Sequence, residues 1–189
     1  MLETRDGPDL EAVLERARQG ERGALEDIYN RFGGRVLVLA RYLLGSHEAA
    51  EDAASEVFLR VRRSLHQFDG RIPFASWLLR ITSHYCIDTL RRRRRERNLF
   101  SDEPPDESTP AQSAETPLDQ ALFGERRDAV RNAVRQLPDR YRVPLVLRYY
   151  GELSYDEIAE RLGVERNHIG VLLFRARLEL RRLLRQDLI

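Results

Sequence analysis

The groups best suited to bond chemistry are few in this 189-residue sequence, and their spacing supports none. Four histidines (His47, His66, His84, His168) are scattered along the chain. The single cysteine, Cys86, lies two residues from His84, a separation that points two helical side chains to different faces. A zinc site is therefore not expected. No glycine-rich phosphate loop and no Ser/His/Asp or Cys/His set stands out, so we expect no catalytic residue, no metal and no cofactor. One cysteine also excludes an intramolecular disulfide. The abundant chemistry is recognition: all 32 basic side chains are arginine. The guanidinium fork donates in pairs to phosphates and base edges. The codon bias of a GC-rich genome gives the same composition, so the placement of the arginines carries more weight than their number.

That placement is uneven. The total charge is only +1, but residues 21–98 carry about +5 and 120–189 about +4, separated by about −6 over 99–119. Residues 1–20 carry about −2. Such asymmetry says more about partners than the total does. The densest cluster, Arg91 to Arg95, is either a solvated helix end or a phosphate contact, and its position at the end of an amphipathic stretch favours the second.

The sharpest local pattern is LSYDEIAERLGVERNHIGVLLFRARLEL. Ser154 and Glu157 have the spacing of a capping box that opens a helix. Ile158, Ala159 and Leu162 form its inner stripe, Gly163 permits a tight turn, and Val164 is expected to plug the corner. A second helix succeeds it with Ile169, Leu173, Ala176 and Leu180 inward. A short helix, a glycine turn and a longer helix make a helix-turn-helix, whose second helix enters a DNA major groove. Its early outward positions include Gly170, Val171 and Phe174, which offer base edges no hydrogen bond. Arg166, Asn167, His168 and Arg175 remain, so readout should lean on phosphates and thymine methyls.

The elements that position these residues read as helices almost throughout. Residues 9–18 form a short helix; Ala24 to Leu44 are apolar at helical spacing (Leu25, Ile28, Tyr29, Phe32, Val36, Leu39, Leu43) but interrupted by Gly33 and Gly34. Ser46 caps a helix carrying AEDAASEVFLRVRRSL, and Phe68 to Pro73 read as a loop. A third long helix buries Phe74, Trp77, Leu78, Ile81, Tyr85 and Leu90; Trp77 fits the core better than a stacking platform. SDEPPDESTPAQSAETP holds four prolines and no aromatic residue, so it is a linker extended by its own charge. Further helices are expected at 118–136, 138–150, 154–162 and 166–186. The fold class is all-α: an N-terminal extension (1–20), a helical domain (21–98), a flexible acidic linker (99–119) and a helix-turn-helix domain (120–189). No stretch of about 18 apolar residues and no signal core is present, so the chain is expected in the cytoplasm with no membrane insertion.

Taken in order, AEDAASEVFLRV, FDGRIPF, WLLRITSHYCIDTLRRRRR and LPDRYRVPLVLRYYGELSYDEIAERLGV make the chain resemble the extracytoplasmic-function sigma factors of the sigma-70 class. The resemblance covers residues 20–98 and 120–186. It implies that the first domain is similar to region 2, with Glu51, Asp52, Glu56, Phe58, Leu59 and Arg60 contacting the beta-prime clamp helices of core RNA polymerase. Ser55 stands where the family often has glutamine. The loop of Phe68, Asp69, Gly70 and Arg71 resembles the segment that captures a flipped base of the minus-ten element. His84 replaces a common asparagine there, Asp88 and Arg91 match the usual Asp-x-x-Arg, and Arg92, Arg94 and Arg95 extend the implied contact to duplex phosphates. The second domain resembles region 4, which reads the minus-thirty-five element and packs on the beta flap; Ser154, Tyr155, Arg166, Asn167, His168, Gly170, Val171, Phe174 and Arg175 are its candidates. Gly170 and Val171 replace the Lys-Ser commonly found there. The acidic linker resembles the segment that threads polymerase near the active cleft, and an anti-sigma factor is an expected partner. The function implied is promoter-specific transcription initiation, by a chain that is not an enzyme. A free-standing helix-turn-helix regulator would need a sensing or dimerising domain, and an adaptor would not need two basic blocks.

Overall fold

We describe residues 8–100 and 125–186 of the chain in a computed structural model; among them every regular element is helical. Helix α1 (Pro8–Arg18) buries Leu10, Val13, Leu14 and Ala17. Helix α2 (Arg22–Leu44) runs through Gly33 and Gly34 without the expected interruption. Glycine costs about 1 kcal/mol in a helix interior, but Gly33 is buried against the ring of Tyr29, and Phe32 and Val36 beside it are core. Tertiary packing overrides the local preference. The helix stops at Gly45, whose φ of 75° is the left-handed conformation glycine adopts without a Cβ clash, and its N–H donates to the Arg41 carbonyl at 2.9 Å. Ser46 then caps α3 (His47–Ser64), accepting the Ala49 N–H at 3.3 Å, as its residue type predicts.

A 3₁₀ turn (Leu65–Gln67) leads to α4 (Phe74–Phe100). This helix passes the expected domain end at residue 98, since arginine is a good helix former and nothing in the run breaks it. The acidic segment from 101 to 119 lies outside the described residues. Helices α5 (Glu125–Gln136), α6 (Asp139–Tyr149), α7 (Tyr155–Leu162) and α8 (Arg166–Gln186) complete the chain.

Two apolar clusters hold these helices. One joins α1, the first half of α2, α3 and the start of α4 around Ile28, Val57, Leu65, Phe74 and Leu78. Phe74 has no exposed surface and meets the rings of Phe32 (5.2 Å) and Phe68 (5.4 Å). The other cluster crosses the acidic segment. Leu39 and Leu43 of α2 and Leu79, Cys86 and Ile87 of α4 pack with Leu137, Leu147, Ile158, Ile169 and Leu173. The C-terminal helices therefore sit on α2 and α4.

Candidate nucleic-acid and protein interface

Helix α3 has one face in the core through Ala50, Ala53, Ala54, Val57 and Val61. That phase turns the six residues expected to form one protein contact away from the core. Leu59 is exposed and, with Phe58, lines a groove of about 490 Å³ against Leu25, Glu26, Tyr29 and Asn30 of α2. The Tyr29 and Phe58 rings lie 4.9 Å apart. Glu51 is exposed and pairs with His47 at 3.3 Å, and Asp52 is exposed beside it. Glu56 and Arg60 pair with each other at 3.2 Å, and Arg60 lies over the Tyr85 ring of α4. The six lie around the half of the helix turned away from its core face, with Phe58 and Leu59 towards α2 and Arg60 towards α4. Tyr29, expected inward from periodicity, is instead half exposed and forms the groove wall with Leu25. Ser55 and Arg62 line the same groove.

Before α4, Phe68 is 8% exposed, its ring against Phe74 and Trp77 and its carbonyl accepting Arg18 Nη2 at 2.9 Å. Phe68, expected with the base-capturing loop, is thus a core residue here, because three aromatic rings close the end of the apolar cluster. The loop's available groups are Asp69, Gly70 and Arg71. Asp69 accepts the Arg71 N–H and pairs with its guanidinium, both at 3.0 Å, around Gly70 at a φ of 74°. Trp77 is partly buried in the same cluster, as its spacing predicts.

One face of α4 presents Ser76, Arg80, His84, Asp88 and Arg91, and α7 crosses it. Ser76 donates to Glu152 at 2.6 Å, Arg80 pairs with Glu157 at 3.1 Å, and Arg91 donates to the Arg161 carbonyl. Burial, then the charge of Arg161, pushes the His84 imidazole down to about 4, so it is neutral at pH 7. His84, expected at DNA, is therefore half buried against protein in this arrangement, while Asp88 and Arg91 remain exposed, Arg91 bonded to the Arg161 carbonyl. Arg92 and Arg95 are exposed; the side chain of Arg94 lies outside the described part.

The helix-turn-helix is built as its sequence dictates. The Ser154 hydroxyl accepts the Glu157 N–H at 3.2 Å, and the Glu157 carboxylate accepts the Ser154 N–H at 2.7 Å. Burial alone would raise the Glu157 carboxyl, but the Ser154 bonds and the charges of Arg80 and Arg161 hold it below its usual value. Gly163 turns the chain at a φ of 68°, and the Val164 N–H donates to the Ala159 carbonyl at 3.1 Å. Val164 does not plug the corner: its side chain is exposed, and the backbone bonds close the turn. Ile169, Leu173 and Ala176 are buried, leaving Asn167, Val171, Phe174 and Arg175 outward. Ser154 and His168 are exposed, Tyr155 and Gly170 half buried, and Arg166 pairs with Asp156 at 3.0 Å. The apolar groove of α2 and α3 is what reading the sequence missed; only the surplus of apolar positions on α2 hinted at it.

Among the described residues no helix is long and apolar enough to cross a membrane. Residues 28–96 match the family model of sigma-70 region 2, and residues 127–180 that of sigma-70 region 4. The chain is 29% identical over 177 residues to the ECF RNA polymerase sigma factor SigW of Bacillus subtilis, covering 91% of this chain and 95% of that one. It is 30% identical over 173 residues to the ECF RNA polymerase sigma-E factor of Haemophilus influenzae, covering 88% and 90%. The fold is similar to that of CnrH in complex with the cytosolic domain of CnrY (TM-score 0.54, 24% identity, 93% of this chain and 97% of that one). It is also similar to that of the sigma factor RpoE in complex with the anti-sigma factor NepR from Bartonella quintana (TM-score 0.51, 21% identity, 95% and 96%). With a region 2 helix set, a capped helix-turn-helix and full-length relatives of one kind, the chain belongs to the extracytoplasmic-function RNA polymerase sigma factors of the sigma-70 class.

Proposed function

We propose that this chain directs core RNA polymerase to a set of promoters and helps hold their minus-ten strand open, doing no bond chemistry itself. Residues 21–98 act as the region 2 domain and 120–189 as the region 4 domain. The observation that carries the reading is a division of surfaces. An exposed apolar groove sits on the α2 flank of α3, while the Arg80–His84–Asp88–Arg91 face belongs to α4, on the side that α7 crosses. A protein partner and a nucleic acid can then be held at once.

Tyr29, Phe58 and Leu59 anchor the polymerase contact, with Glu51 and Asp52 at its polar edge; aromatic and aliphatic anchors with a polar rim are the usual anatomy of such interfaces. Asp69, Arg71, Asp88, Arg91, Arg92 and Arg95 meet the minus-ten DNA, and α8 meets the upstream element. Since α7 half covers His84 and its Arg161 carbonyl holds the exposed Arg91, the C-terminal helices must leave α4 before the promoter is engaged, and docking on polymerase supplies the free energy for that separation. An anti-sigma protein fits the same logic from the other side, by holding the surfaces covered.

The test is run-off transcription with purified core polymerase and a promoter library. New promoter-specific starts that depend on the chain support the reading, and their absence overturns it. Leu59→Asp should abolish capture of core polymerase, whereas Asp69→Ala and Arg71→Ala should impair promoter opening more than capture. Equal losses in both would reject the loop's role. A free-standing regulator or an adaptor predicts no near-stoichiometric capture of polymerase.

A further inference from the structure

Helix α8 is apolar on two opposite sides. The inner side (Ile169, Leu173, Ala176) is buried, but the outer midline also carries apolar groups: Val171 is 46% exposed, Phe174 58% and Leu178 48%. Such groups on a solvated helix need a use when they form a contiguous stripe. Val171 and Phe174 fall within the first nine residues of α8, which begins at Arg166. At 1.5 Å per residue that stretch is roughly as long as the major groove is wide, and it is the part of a recognition helix that meets base edges. Gly170, just before Val171, adds no side chain; a Cβ there would have the Tyr155 ring as its nearest neighbour, at 4.0 Å, so space does not forbid one. Arg175 stands exposed beside the stripe, where it can reach phosphate.

Resting on the promoter-binding reading, we infer that Val171 and Phe174 read the upstream element through the C5 methyl groups of thymine rather than through hydrogen bonds. Among base edges in the major groove only thymine offers an apolar group. Valine and phenylalanine can do little else there, because they leave base donors and acceptors unmatched. The readout would favour thymine at one or two positions and discriminate weakly elsewhere. Leu178 lies one turn beyond Phe174, outside the base-reading stretch, and separates this inference from its rival. A partner helix seated on α8 would use Val171, Phe174 and Leu178 together, at the i, i+3, i+7 spacing of helix-in-groove anchors.

The experiment uses the full chain with core polymerase on a promoter taken from the library, with each upstream thymine replaced singly by deoxyuracil. This deletes one methyl and keeps every hydrogen-bonding group. Loss of a buried methyl should weaken promoter binding roughly threefold to fivefold at the positions read. Val171→Ala and Phe174→Ala should each lower affinity for thymine DNA and erase the thymine–uracil difference at one position, while Leu178→Ala changes neither. A promoter complex indifferent to every deoxyuracil overturns the inference while leaving the promoter-binding reading intact. Uniform losses from all three alanine variants, without any deoxyuracil effect, overturn it in favour of protein docking. Failure to form any promoter complex on unmodified DNA overturns both.

Discussion

Glu157→Gln isolates one polar contact between the two halves, which a shared apolar cluster also joins. The Glu157 carboxylate does two things: one oxygen accepts the Ser154 N–H at 2.7 Å, closing the capping box, and the other meets Arg80 of α4 at 3.1 Å. Glutamine keeps the first role, since its carbonyl oxygen can take the same N–H, and loses the second. The Arg80 and Glu157 side chains are 39% and 34% exposed, so solvent screens the pair. Its contribution is then about 0.3–1 kcal/mol, within the range for surface pairs. That corresponds to a shift of roughly twofold to fivefold towards separated halves. The assay is energy transfer between dyes on cysteines introduced at the exposed positions Glu48 and Arg181, read as a function of salt. Glu157→Gln should lower transfer at low salt and match the parent at about 1 M, where the Debye length is about 3 Å. Ser154→Ala, which removes the cap instead, should lower the melting temperature more than it lowers transfer. If Arg80→Ala and Glu157→Gln have fully additive effects, the two side chains are not coupled and the reasoning fails.

Single sites give further outcomes. His84 is held neutral by burial and Arg161, with a pKa of about 4 against an ordinary value near 6.5. The unfolded chain therefore binds more protons across that window; stability is fully present above about pH 6.5 and falls as the pH drops towards 4. His84→Gln should flatten this part of a melting-temperature profile; an unchanged slope rejects the assignment. Burial pushes the Cys86 thiol up to about 12, so it should resist a disulfide reagent at pH 8 until denaturant is added. Rapid labelling of the folded chain would contradict its placement. Phe74→Ala, which empties a site with no exposed surface, should cost about 3–5 kcal/mol in urea unfolding. A loss below about 1 kcal/mol would mean that the aromatic cluster is not packed as described. Arg142 is buried and pairs with Asp139 at 2.7 Å, and among the described residues its Nε and Nη1 have no hydrogen-bond partner. Arg142→Met should accordingly leave the melting temperature unchanged or higher, and a large drop would show that those atoms are satisfied.

The parts of this molecule that could be read from its residues are those fixed by neighbours in sequence. Ser46, Ser154 with Glu157, Gly45 and Gly163 each set a helix end through bonds within a few residues, and all were legible. Gly33 and Gly34 misled because their cost is local whereas the burial that offsets it comes from distant side chains. Val164 misled because an apolar residue after a turn glycine suggests a plug, whereas the backbone bonds suffice. Phe68 reads as a loop aromatic in sequence, and only the fold brings Phe74 and Trp77 around it. The seating of α7 on α4 was not legible at all. Apolar stripes on α2 and α6 say that each must be covered, but no periodicity says by what.

The last turns of α2 belong to both halves at once, with Leu39 and Leu43 in the same cluster as Leu137 and Leu147. Grafting experiments will meet this as a constraint. A hybrid that takes its C-terminal helices from a relative inherits a mismatched seam unless the donor also supplies the facing residues, Leu39 and Leu43 of α2 and Leu79, Cys86 and Ile87 of α4. Exchanging promoter preference therefore means grafting these positions of α2 and α4 along with the C-terminal helices, and hybrids cut only in the acidic segment should misassemble.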